Sequence, residues 1–388
     1  MIREVGRWSE MAGDAPAVDL GEVILLPGLV NSHCHLDYTD MAGQITPLRS
    51  FADWVKSITT LKAGWSYTEF AQSWVNGARM LLRNGVTTVA DIEAVPELLP
   101  DAWEATPLRV HSFLEMTGVK SRRQPKLILD EAIATLERLR HDRSRGGLSP
   151  HAPYSTMPEL LRLSAAAARE RGWRLTTHVA ESIQEFEMFV HGRGEMFDWL
   201  ARNERDMADC GRGTPVQHLE THGLLADNLL AIHVNYLGAG DAELLARQGV
   251  SVVHCPRSHT YFQHQPFPYA ELARAGVNIC LGTDSLASVT RRRGEAMELN
   301  MLAEMKAFAA KEPGVAPETI LRLATVNGAR ALGVEGHVGE LVAGAAADLI
   351  AIPYGGADAD ADAAVIHHAG AVAASMIDGQ WAIEPPAA

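Results

Sequence analysis

Two hydrophobic periods alternate along the chain. Short runs rich in Val, Ile and Leu are followed by longer stretches whose apolar positions recur every three to four residues. Residues 28–36, 86–91, 108–115, 147–151, 174–178, 229–234, 250–254 and 277–284 have the length and composition of buried strands. Residues 68–84, 126–140, 157–171, 182–203, 241–248 and 294–310 have the spacing of amphipathic helices. Gly85, Gly172 and Gly249 stand where three of these helices should stop. Strands separated mostly by helices predict an α/β fold, a TIM-like (β/α)8 barrel over residues 28–334.

The two ends follow a different pattern. Residues 1–27 and 335–388 carry further strand-like pieces, and Asp378-Gly379 between apolar runs is a hairpin signal. They predict a small composite β-sandwich beside the barrel. Residues 355–364, GGADADADAA, read as a low-complexity loop. Their alternating aspartates lack the closing glutamate of a calcium loop.

Composition narrows the partners. A length of 388 residues suits one large barrel with an accessory piece, and 47% hydrophobic residues supply its core. A net charge of −14 argues against nucleic acid or an anionic membrane and favours a small-molecule substrate. Cys34, Cys210, Cys255 and Cys280 show no paired spacing, which suggests a reduced, cytoplasmic protein. No signal-peptide pattern and no run of about 18 apolar residues is found.

Candidate chemistry gathers where the strands end, the functional face of such a barrel. The first strand ends with His33 and His35, which alternation places on one face, with Cys34 on the other. The fifth ends with His178, followed by Glu181; the sixth with His233; the seventh with His254, then Arg257 and His259; the eighth with Asp284. One histidine at a strand end is usually a hydrogen-bonded structural residue. Metal-competent residues at the first, fifth, sixth and eighth ends would converge on one mouth. Imidazole and carboxylate without thiolate suit Zn²⁺ or Fe²⁺ in a site with a position open for water.

The ordered segments PGLVNSHCHLD, THVAES, AIHVNYL, HCPRSH and LGTDS resemble the amidohydrolase superfamily, and within it the branch of cytosine-type deaminases and chlorohydrolases. The tail GHVGELVAGAAADLIAI resembles that branch's return to its small β-sandwich. The resemblance implies one divalent ion, zinc first with ferrous iron as the alternative, held by His33, His35, His178 and Asp284. It implies that His233 hydrogen-bonds the attacking water or the substrate, that Glu181 shuttles protons, and that Asp284 is also a base. Metal-bound hydroxide would then replace the amino group of a nitrogen heterocycle (purine, aminofutalosine, pterin or pyrimidine) with release of ammonia. A chlorohydrolase or amidase is the alternative, and a non-catalytic metal-binding barrel a more distant one. A homodimer is a family-level expectation.

Departures from the family pattern locate the substrate contacts. The fourth strand, GGLSPHAPYS, has no lysine, which disfavours the binuclear subtype. Glu115 could take the place of the strand-three glutamate of deacetylase-like relatives, although lining the substrate pocket is favoured. His151 follows the fourth strand and is a further contact candidate. The segment after the first strand would fold as a lid whose Trp54 covers a flat ring; equally, Phe51, Trp54 and Ile58 at i, i+3 and i+7 would pack an ordinary helix on the core. His259 stands where the branch usually has asparagine, and Arg257 could meet a substrate group or a neighbouring carboxylate. Arg122 and Arg123 form a basic patch. Relatives usually carry two or three more strands before residue 19, so a reduced sandwich is expected.

Overall fold

The computed structural model describes residues 1–11, 17–46, 50–119, 124–291 and 296–386. Eight parallel strands run in sequence order around a barrel: β2 (Leu29–Cys34), β3 (Val86–Glu93), β4 (Arg109–Met116), β5 (Arg145–Pro150), β6 (Leu175–Val179), β7 (Leu229–His233), β8 (Ser251–His254) and β9 (Asn278–Leu281). β2, β3, β6, β7 and β8 are buried along their whole length. This is why they read as near-continuous apolar runs, since helices cover their outer faces.

The first and last barrel strands meet at the functional end. Cys34 and Asp284 form a bridge, and the N–H groups of Thr283 and Asp284 donate to the carbonyl of His33 at 3.0 and 3.1 Å. Gly282 makes this approach possible: a Cβ there would lie 2.8 Å from both the Cβ and the carbonyl oxygen of His33. Closure of the barrel thereby sets Asp284 beside His33.

The helices follow the sequence pattern with two changes. The helix expected over 182–203 is two, Ile183–His191 and Glu195–Arg202, because Gly192 and Gly194 adopt φ of 61° and 111° between them. Of the helix expected over 294–310, residues 294 and 295 lie outside the described residues; 296–300 are irregular, and the helix runs Met301–Lys311, capped by the Asn300 side chain. Helix Tyr67–Arg83 opens on a Ser66/Glu69 capping box and buries Phe70, Trp74 and Leu81 against the barrel.

The termini build a four-stranded antiparallel sheet, β1 (Val23–Pro27), β10 (Leu349–Pro353), β11 (Ala374–Ile377) and β12 (Gln380–Ile383), in that order. Pro27 ends β1, and Gly28 alone separates this sheet from the first barrel strand. Asp378 and Gly379, with φ of 55° and 79°, turn β11 into β12. The loop expected over 355–364 is corrected. A 3-10 turn, Asp358–Asp360, leads into helix Ala361–His367. Aspartates suit a helix start, and buried Val365 and Ile366 anchor it. Among the described residues no helix is long and apolar enough to cross a membrane.

Candidate metal and catalytic centre

Six side chains from four strand ends meet at the mouth. Donor atoms of His33, His35 and His178 lie within 4.8 Å of one another, as do those of Glu181, His233 and Asp284. His33 Nε2 and His35 Nε2 are 3.6 and 3.8 Å from Asp284 Oδ1, and His35 Nε2 is 3.4 Å from His178 Nε2. His233 Nε2 is 3.5 Å from Glu181 Oε1. All six residues are buried. Their backbone is strained: Ala180, His233, Val234 and Asp284 have φ of 49°, 74°, 49° and 55° at the ends of β6, β7 and β9. Non-glycine residues hold such angles only where the surroundings impose them, typically at functional sites.

Burial decides the protonation states. It pushes His35 and His233 well below the usual imidazole range and takes His178 down to about 3, with neighbouring imidazoles adding to the shift. Neutral rings offer lone pairs. His178 Nδ1 donates to the His151 carbonyl at 2.9 Å, which leaves its Nε2 as an acceptor aimed at His35. His33 Nε2 and His233 Nε2 are enclosed without a hydrogen-bond partner. Burial acts to raise the Asp284 carboxyl, but the close approach and charge of His33, 3.6 Å away, with His233 and His35, hold it well below the carboxylate range. Glu181 is the opposite case: burial, then Asp284 and Glu185, push it well above its usual range. Converging buried nitrogen and carboxylate acceptors, with His33 Nε2 and His233 Nε2 unpartnered, are the donor set of a divalent-cation centre.

Supporting contacts fix these groups. Ser258 Oγ and Ser288 Oγ donate to Asp284 Oδ2 at 2.6 and 3.1 Å, and Ser285 N donates to Oδ1 at 2.8 Å. Asn235 Nδ2 donates to the Glu181 carbonyl at 2.9 Å, while Glu185 Oε2 accepts from Glu181 N at 2.9 Å.

Residues 24–382 match the amidohydrolase family. This chain belongs to the amidohydrolase family. It is 32% identical over 91% of its length, and 78% of the relative's, to a 5-methylthioadenosine/S-adenosylhomocysteine deaminase of Syntrophobacter fumaroxidans. It is 31% identical over 80% of its length, and 73% of the relative's, to an aminodeoxyfutalosine deaminase of Deinococcus radiodurans. Its fold is similar to that of an adenosine deaminase from Xanthomonas campestris with bound zinc, at TM-score 0.79 and 25% identity, covering 93% of this chain and 81% of the other.

The amidohydrolase places the remaining candidates unevenly. Glu115 sits at the mouth, paired with Lys62 at 3.4 Å, and is held down at about 2: burial would raise it, but Lys62 and His151 lower it. His151 Nδ1 bonds Ser155 Oγ at 2.6 Å, and its ring lies 4.8 Å from that of His178. Trp54 is half-buried and packs with Phe51 and Phe262 at ring distances of 6.0 and 5.1 Å, beside Tyr154, Met188 and Phe189. Arg257 is occupied: Nη1 donates to the Glu298 carbonyl at 2.9 Å and lies 3.5 Å from Glu304. His259 Nε2 bonds the Gln265 carbonyl at 2.9 Å, and His254 stacks on Phe267 at 3.8 Å. Arg122 and Arg123 lie outside the described residues.

Sequence reasoning missed two groups in this amidohydrolase. One is the serine pair on Asp284, although Ser258 lies within the HCPRSH segment. The other is a buried acidic wall, Asp37, Asp91 and Glu93, beside Glu115 and Lys62. Burial raises Asp91 to about 7 and drives Asp37 and Glu93 well up. Lys62 comes from helix Phe51–Ala63 and covers Tyr38 at 4.6 Å, and Tyr38 stacks on His35 at 5.0 Å. The only signal for Lys62 was its place in the long segment after the first barrel strand.

Proposed function

We propose that this amidohydrolase is a metal-dependent deaminase that replaces the 6-amino group of an adenosine-type purine by oxygen and releases ammonia. The observation carrying this reading is Glu181, a carboxyl whose pKa burial pushes well above its usual range, set 3.5 Å from His233 and grouped with Asp284. Displacement of an amine from an aromatic ring needs an acid for the ring nitrogen and a base for the water at one carbon. The names of the relatives support the adenosine-type amine.

His33, His35, His178 and Asp284 would hold the ion, for which zinc is favoured over ferrous iron by the zinc-containing relative. When bound, the ion would supply Lewis acidity that eases deprotonation of a coordinated water. The side chains do the rest. Asp284, ionised and oriented by Ser258 and Ser288, takes a proton from the attacking water. His233 hydrogen-bonds that water on the opposite side. Glu181 delivers its proton to the ring nitrogen, making the adjacent carbon electrophilic. As the amine leaves, Asp284 returns a proton to it, and Glu181 is recharged from the new hydroxyl. The product is the ring carbonyl plus ammonia.

The test is ammonia release by zinc-loaded enzyme from adenosine, 5′-deoxyadenosine, methylthioadenosine, adenosylhomocysteine and aminodeoxyfutalosine, with guanine, cytosine and a chlorotriazine as comparisons. Turnover of at least one adenosine-type compound is expected, at a higher kcat/KM than for the comparisons. Chloride release from the triazine, with no ammonia from any aminoheterocycle, would replace this reading.

A further inference from the structure

Helix Pro256–Tyr261 carries Ser258, whose hydroxyl donates to Asp284 Oδ2 at 2.6 Å, yet the helix begins without a cap of its own. Its N-cap residue, Cys255, makes no side-chain cap bond, and Pro256 takes the first helical position. The N–H groups of a first turn have no acceptor within their helix. Where they are buried, an acceptor must come from elsewhere, since an unpaired one costs as much as a lost hydrogen bond.

Another helix supplies it. Glu304, on helix Met301–Lys311, is fully buried, and its Oε2 accepts from Arg257 N at 2.9 Å across 47 positions of sequence. The carboxyl thereby grips the peptide unit that leads directly into Ser258. Its own helix is anchored: the Asn300 side chain accepts from Ala303 N at 3.0 Å and donates to Asn84 Oδ1 at 3.1 Å. Burial raises the Glu304 carboxyl to about 8, against the charge and N–H of Arg257. Its Oε1 has no hydrogen-bond partner, so a proton there leaves Oε2 an acceptor, and the grip holds in either charge state. The consequence reaches Asp284. Ser258 and Ser288 both donate to Oδ2, which turns Oδ1 toward His33 and His35 at 3.6 and 3.8 Å. Withdrawing Ser258 would free the carboxylate to rotate off the histidines.

We propose that Glu304 is a positioning residue of the centre: through the Arg257 N–H it sets Ser258, and through Ser258 it aims Asp284 at the ion. It acts by the reach of an acceptor, not by charge. The inference rests on the metal-dependent reading above.

Competition for zinc between a chelator and the metal-stripped protein tests this in a cycle of variants. Glu304→Asp keeps the charge and shortens the reach; zinc binding weaker by roughly fivefold or more is expected. Glu304→Gln keeps the reach and a carbonyl acceptor without the charge; affinity within about twofold of the unaltered chain is expected. In a Ser258→Ala background, Glu304→Asp should change affinity by less than about twofold, because its route to Asp284 is already cut. A general contribution to stability would instead lower affinity equally in both backgrounds. Glu304→Gln decides alone if the shortened variant does not fold. Undiminished zinc binding by Glu304→Asp, weakened binding by Glu304→Gln, or an equal loss in the two backgrounds would each overturn the proposal while leaving the metal reading intact. Failure of the unaltered chain to bind zinc would overturn the metal reading, and this proposal with it.

Discussion

The molecule contains two histidine clusters of similar density and different chemistry. At the mouth, His33 lies 5.0, 5.0 and 5.8 Å by ring centre from His35, His178 and His233. On the flank, His254, His259 and His264 are spaced at 5.3 and 5.4 Å. Burial lowers the imidazoles in both. What separates them is where the ring nitrogens and carboxylates point. Central nitrogens converge on one another and on Asp284; His35 and His178 meet at 3.4 Å, while His33 Nε2 and His233 Nε2 stay without a partner. In the flanking cluster the rings pack on Phe267 and Phe262, His259 bonds a carbonyl, and His264 meets the Tyr236 hydroxyl at 3.3 Å; His254 Nδ1 and His264 Nε2 are also buried without a partner, but among the described residues no carboxylate joins them in a group that could hold an ion. Crowded histidines make a cation site only when their lone pairs meet an ionised carboxylate.

The largest expected effect falls on that carboxylate. Asp284→Asn should lower bound metal from about one equivalent per chain to under a tenth and reduce kcat/KM by about 10⁴-fold or more. Metal analysis and ammonia release check both; full metal retention would dissolve the contrast between the clusters. Next comes Glu181→Gln, which should keep the metal and cost about 10²- to 10⁴-fold in kcat. Undiminished activity would remove Glu181 from proton transfer. Ser258→Ala touches only the support of Asp284, and a loss of roughly 10- to 100-fold in metal affinity is expected from competition with a chelator.

The smallest effects belong to the flank. His259→Gln should change kcat/KM by less than about threefold, because the ring is committed to Gln265; a larger loss would return it to the substrate contacts. Its signature is acid stability. A histidine whose folded pKa is depressed stabilises the fold fully above its ordinary value of about 6.5 and loses that contribution as pH falls through the folded value. For His259 and His264, lowered by burial to about 4 and about 3, the loss runs over the interval below 6.5. Denaturant unfolding of metal-free protein should fall by at most about 1.4 kcal/mol per pH unit for each such group. His259→Gln and His264→Gln should each flatten that slope; an unchanged slope would show that these rings titrate freely.

The same comparison explains what the sequence could convey. Period-two alternation and ordered strand ends made the barrel legible and gathered the candidate histidines and Asp284 at one end; it was the resemblance of the ordered segments to the family that singled out the six central residues among them. Alternation says nothing about partners across the barrel. His259 and Arg257 read as substrate contacts because they follow a strand end, yet the first turn of helix Pro256–Tyr261 carries Arg257 toward Glu304 and His259 toward Gln265. Ser288 and Lys62 were invisible for the same reason: each meets its partner through a fold-level contact that no local spacing encodes. The split at Gly192 and Gly194 lay in plain view, but the apolar period runs through it.

The His151 carbonyl has a wider consequence. It accepts from both the backbone N–H and Nδ1 of His178, at 2.8 and 2.9 Å. The tautomer of a central histidine is thus set by main chain, which every residue type at position 151 would supply. The side chain there is free to diverge. A lineage of such enzymes could exchange it to suit a new substrate without forfeiting the ion, so innovation at the rim and constancy at the centre can coexist one peptide unit apart.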